Sequence, residues 1–126
     1  MDNFYFRKLD VYQNAKLLSR KISSLIKNFP ADERFSLCNQ LHRAAMSVPI
    51  NIAEGFGRFS AKEKAHFLEI AYGSLTEVLC ELELSFDEQY IIKEEFEDLE
   101  QLVIIISKQL SRLRSSIINN GDSNYK

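Results

Sequence analysis

Apolar residues spaced three and four apart recur in four long segments of this chain, and that spacing decides what it can fold into. Ala15, Leu18, Ile22, Leu25 and Phe29 form the first seam, and Leu37, Leu41, Ala44, Val48 and Ile52 the second. Leu68, Ala71, Leu75, Val78, Leu82 and Phe86 form the third, and Leu99, Leu102, Ile106, Leu110, Leu113 and Ile117 the fourth. Such steps stay on one face of a 3.6-period helix, whereas a strand needs alternation by two. A helix with one apolar stripe must cover it, so four of them imply a bundle. The breaks between segments are short, which makes consecutive helices antiparallel neighbours. The expected fold is therefore all-α, an antiparallel up-down-up-down four-helix bundle over residues 4–118, with residues 119–126 a disordered tail.

Local signals place the helix ends. Asp10 and Gln13 form a capping-box-like pair at the first helix, and Pro30 stops it. The second helix is expected from residues 30–32 to Glu54, with a kink at Pro49, whose ring frees the carbonyl of Ala45. Gly55-Phe56-Gly57 ends it, either glycine being able to take a left-handed cap. Ser60 and Glu63 form a capping box for the third helix. Gly73 lies in the middle of that helix, where it costs roughly 1 kcal/mol against alanine. A neighbouring helix passing close by would explain the cost. Asp87 to Lys93 is a short connection, and the acids and then bases along residues 94–114 suit the dipole of the fourth helix.

At 126 residues, with 45% apolar and 27% charged content, the chain is long enough for one soluble domain with its own core. Cys38 and Cys80 have no metal-type spacing and read as free, buried thiols of a reducing compartment. No apolar run approaches the ~20 residues of a membrane span, and the N-terminal residues do not resemble a secretory signal, so a cytoplasmic location is expected. The net charge of −2 argues against a polyanion as partner of the whole surface. The charge is uneven, however. Residues 4–28 hold Arg7, Lys8, Lys16, Arg20, Lys21 and Lys27 against Asp10, a net +5, while residues 60–90 carry a net −5. Those segments either face one another, within or between subunits, or leave the basic one free for RNA or DNA phosphates.

No reaction emerges. A di-iron bundle needs two Glu-x-x-His pairs, and only Glu63 to His66 qualifies. Cys38 and His42 lie one turn apart, but no oxyanion-hole element accompanies them. Phosphate loops, zinc patterns and nucleophile elbows are missing from the sequence. The expectation is a non-enzyme with no catalytic residue, metal, cofactor or small-molecule substrate. Val103, Ile104, Ile105 and Ile106 instead put apolar surface all round one turn of the fourth helix, which self-association would cover. A charge at Ile105 is then expected to split the assembly. The second helix also carries a polar stripe of Gln40, Arg43, Ser47, Asn51 and Glu54, composed unlike a solvated Lys/Glu face.

Three segments carry a resemblance: residues 6–15 (FRKLDVYQNA), residues 40–55 (QLHRAAMSVPINIAEG) and residues 71–77 (AYGSLTE). Through them the chain resembles the 23S ribosomal RNA intervening-sequence proteins over residues 4–117. That resemblance implies a four-helix bundle forming ring-like homo-oligomers, typically pentamers, without established catalytic activity. It also implies kinship to accessory proteins of diversity-generating retroelements, which bind nucleic acid and are strongly basic where this chain is acidic. The family's motif positions fall on Gln40, Arg43, Asn51, Glu54, Gly55, Gly73, Ser74 and Glu77. They read either as a polar lattice fixing helix register, the favoured reading, or as a ligand or RNA contact. In the lattice, Arg43 would pair with Glu77 or Glu54, and Gly73 would admit the neighbouring helix.

Overall fold

Four helices account for most of the chain in the computed structural model, which describes residues 3–121. A 3₁₀ turn over Tyr5–Lys8 precedes α1 (Asp10–Leu25). Two further 3₁₀ turns, Ile26–Asn28 and Ala31–Glu33, lead to α2 (Leu37–Phe56), followed by α3 (Ala61–Asp87) and α4 (Lys93–Asn120). Side-chain pairs fix the directions. Ser19 of α1 meets Met46 of α2, and Ser47 of α2 meets Ser74 of α3. Phe86 stacks on Phe96 and Glu69 binds Arg114, so α3 and α4 run antiparallel. Asn14–Gln109 and Lys21–Asp98 do the same for α1 and α4. This is the expected up-down-up-down bundle.

The four seams meet in one core. Leu18, Ile22, Leu41, Ile52, Leu68, Leu75, Leu82, Ile106, Leu110 and Ile117 are fully buried, each burial worth about 1.5–3 kcal/mol. Ser60 caps α3 as its sequence suggests, its hydroxyl accepting from the Glu63 N–H at 3.1 Å. At α4 the Glu95 carboxylate reaches back to the Ile92 N–H at 3.0 Å.

Several ends differ from expectation. Asp10 is the first helical residue rather than the cap, and Gln13 donates to the Arg7 carbonyl at 2.9 Å, tying the 3₁₀ turn to α1. α2 begins at Leu37, because residues 30–36 serve as a strap across the bundle end. Within the strap, Ser36 donates to the Glu33 carboxylate at 2.5 Å and Tyr90 of the α3–α4 turn donates to it at 2.8 Å. The two donors hold the Glu33 carboxyl below its ordinary pKa, and the same bond pushes the Tyr90 hydroxyl up to about 12. Pro49 is buried within a continuous α2. Neither Gly55 nor Gly57 is left-handed; Gly57 sits at φ −85° and closes the helix through the carbonyls of Ala53, Glu54 and Gly55. A left-handed cap does occur where no glycine announces it, at Gln89 after α3 (φ 65°). Gln89 N–H bonds the Phe86 carbonyl and Tyr90 N–H the Ser85 carbonyl, the paired bonds of a Schellman ending. α4 extends to Asn120, and residues 122–126 of the expected tail lie outside the described residues.

Candidate functional site

The polar stripe of α2 faces the flank of α3, and Ser47 is its hub. The Ser47 and Ser74 hydroxyls are 2.8 Å apart across the two helices. The Asn51 amide donates to the Ser47 carbonyl at 2.8 Å and to its hydroxyl at 2.9 Å. Asn51 thereby occupies backbone and side chain in the turn where Pro49 removes a donor. Gly55 supplies the close approach: a methyl group there would lie 3.1 Å from Phe67 Cβ and 3.2 Å from the Lys64 carbonyl. Gly73, expected to admit a helix, does the opposite, since a methyl group on it would meet nothing within 4 Å.

The expected ion pairs are rearranged. Glu54 binds Arg58 at 3.2 Å, one turn on along the chain, and not Arg43. Glu77 stands beside Glu81, one turn along α3. Arg43 and Gln40 are exposed, and their side chains have no hydrogen bond or ion pair among the described residues. The lattice thus joins Ser47, Asn51 and Ser74, with Gly55 beneath, while Gln40, Arg43, Gly73 and Glu77 lie open at the surface.

Two charged side chains are buried where the sequence reads as solvated. Glu81 is 5% exposed, and its Oε1 has no hydrogen-bond partner among the described residues. Burial first, and then the Glu77 carboxyl beside it, push its pKa up to about 7. Lys64 donates to the Arg58 carbonyl and lies 5.2 Å from the Phe56 ring centre, fastening the α2–α3 turn. Burial lowers its pKa. The signal was phase: Lys64 lies one turn before Leu68 in the core seam, and Glu81 keeps step with Ser74, Val78 and Ser85.

Between α1 and α2 lies an open groove of about 660 Å³ that sequence reasoning missed. Met46, Pro49, Ile50 and Ala53 form its floor, Phe6 and Tyr12 one wall, and Lys16 and Arg20 its basic rim. The six basic residues of the 4–28 segment are therefore divided. Arg7, Lys8, Arg20 and Lys27 are exposed, and Lys16 lies 5.1 Å from the Tyr12 ring centre. Lys21 turns to the other flank and binds Asp98 of α4 at 2.8 Å. The apolar belt of α4 is divided as well. Val103 and Ile106 belong to the core, Ile104 is half-buried, and Ile105 is exposed.

The residues weighed for chemistry do not come together. Cys38 is buried against the Ile26 carbonyl, and burial raises its thiol pKa, the reverse of an activated nucleophile. Cys80, expected to be buried as well, is exposed on the outer face of α3. His42 is exposed, as are Glu63 and His66. Among the described residues no three of His, Cys, Asp and Glu are grouped to hold a metal ion, and no helix is long and apolar enough to cross a membrane.

These features define an antiparallel four-helix bundle protein with a polar α2–α3 seam and a groove beside it. The chain belongs to the 23S rRNA-intervening sequence protein family, whose sequence profile matches residues 7–112. It is also similar to a solved structure from Bacteroides thetaiotaomicron, a protein of unknown function from the S23 ribosomal protein family. That match has a TM-score of 0.77 and 25% identity, covering 82% of this chain and 97% of the other. Among curated proteins none matches.

Proposed function

We propose that this protein is a non-catalytic, cytoplasmic scaffold that works by assembling with copies of itself into a ring-like homo-oligomer. One observation carries the reading: large apolar side chains stand on the outer faces of α2 and α3 in a bundle whose core is already complete. Ile50 of α2 is 55% exposed beside Met46 at 38%, and Leu84 of α3 is 50% exposed on the same helix face as Ile70 at 38%. Such surface on a small domain is the usual mark of an interaction site. A pentamer is the count that the family resemblance implies. Light scattering on the untagged chain tests the reading, since a multimeric mass supports it and a monomer at tens of micromolar refutes it.

A second reading is favoured by the exposed basic residues Arg7, Lys8, Arg20 and Lys27 along α1 and its flanking turns. Repeated around a ring, they would make phosphate contacts with RNA or DNA despite the net negative charge. The 260/280 nm absorbance ratio of the same light-scattering peak, and affinity that falls steeply with salt, test it. Absence of binding at low salt removes it.

A further inference from the structure

α3 has a second stripe. On the side opposite its core seam, His66, Ile70, Gly73, Glu77, Cys80 and Leu84 follow one another at four-three spacing, and all are exposed. Its apolar members, Ile70, Cys80 and Leu84, are surface that a neighbouring helix would cover. Among the described residues no other helix covers this stripe. Gly73 lies in the stripe, with open space where its side chain would be. An incoming neighbour would turn that costly glycine into a place of close contact.

The α1–α2 groove has the complementary character. Its floor is apolar, and its rim carries Lys16 and Arg20. Arg43 stands one turn before Met46 with no internal partner among the described residues. The acid in the groove, Glu54, is already paired with Arg58. The stripe in turn contains the exposed acid Glu77 and is flanked by the exposed acid Glu83. Two copies meeting stripe to stripe would bring Glu77 toward Glu77, which like charges oppose. Stripe to groove, apolar surface meets apolar surface and acid meets base.

We propose that the outer stripe of α3 in one copy seats in the α1–α2 groove of the next, with Glu77 and Glu83 facing Lys16, Arg20 and Arg43. This rests on the self-association proposed above and names its two surfaces. Because those surfaces differ, the contact is heterologous, the kind from which rings are built.

Charge exchange tests it. One variant carries Arg20→Glu with Arg43→Glu, the other Glu77→Lys with Glu83→Lys; all four side chains are exposed, and circular dichroism checks the fold. Light scattering over a dilution series should find the concentration for half-assembly raised about tenfold or more in each variant. An equimolar mixture of the two should regain the wild-type mass, because each altered surface then meets its complement. A wild-type monomer would overturn self-association itself, and this scheme with it. A wild-type multimer whose mass survives both variants overturns the scheme alone. So does loss of assembly in the Glu77/Glu83 variant only, which would assign the contact to two α3 stripes.

Discussion

Replacing Glu81 with glutamine should make the fold more stable, and increasingly so as pH rises. In the folded chain Glu81 is 5% exposed, one of its oxygens has no donor, and its pKa stands near 7. The unfolded chain ionises it near the ordinary 4.5. Between those values the folded state holds a proton that the unfolded state has released, so stability falls as pH rises through the window. Above pH 7 the gap is worth about 3 kcal/mol. At pH 5 less than about 1 kcal/mol of it has been lost. Glutamine keeps the shape of the protonated acid and offers an N–H toward Glu77, without the charge. Urea unfolding of both proteins at pH 5 and pH 8 isolates the Glu81–Glu77 pair, because titrating groups away from it cancel in the difference. The advantage of Glu81→Gln should grow by about 2 kcal/mol between the two pH values, a Tm separation of roughly 8 °C. An advantage that is the same at both would refute the argument, as would a Glu81 carboxyl resonance titrating near 4.5.

The two glycines of the α2–α3 region should respond oppositely. Gly55→Leu forces a side chain against Phe67 and the Lys64 carbonyl and should destabilise the fold by about 1–3 kcal/mol in chemical denaturation. Gly73→Ala meets open space and should stabilise the isolated subunit by up to about 1 kcal/mol. Gln89→Gly relieves a left-handed backbone after α3 and should raise stability by about 1 kcal/mol, read as a higher Tm with an unchanged unfolding slope. Ile105→Glu lies outside both proposed docking surfaces and should leave the solution mass unchanged. A split assembly would move the contact to α4, as the sequence alone had suggested.

The architecture was legible because helical periodicity is a local property, repeated four times with short breaks. Ser60 could be read as a cap for the same reason: its partner is three residues away. What depended on the register of two helices was harder. Gly55 and Gly73 look alike as isolated glycines, and their phase separates them. Gly55 continues the seam of Val48 and Ile52, while Gly73 lies across the helix from Ala71 and Leu75. Arg43 was matched with acids by charge alone, but Glu54 found Arg58 one turn along its own chain. In Val103 to Ile106 the apolar run hid a division, since α4 turns Val103 and Ile106 inward and Ile105 outward. Glu81 was concealed by its company, a run of acids that reads as solvated. The α1–α2 groove had no linear signature, because Phe6 and Ile50 come to line one groove only after folding.

The stripe and the groove sit on different helices of one subunit, and that has a consequence for how copies accumulate. A chain of copies joined stripe to groove always keeps one vacant end of each kind, however many have joined. Only closure satisfies every subunit, and the last junction forms within one particle, at a high effective concentration. Open fragments should therefore be scarce, and a dilution series should pass between single subunits and complete rings with little between. One subunit bearing a blocked stripe but a sound groove would act as a terminator. A minority of such subunits could then hold back a majority of intact ones.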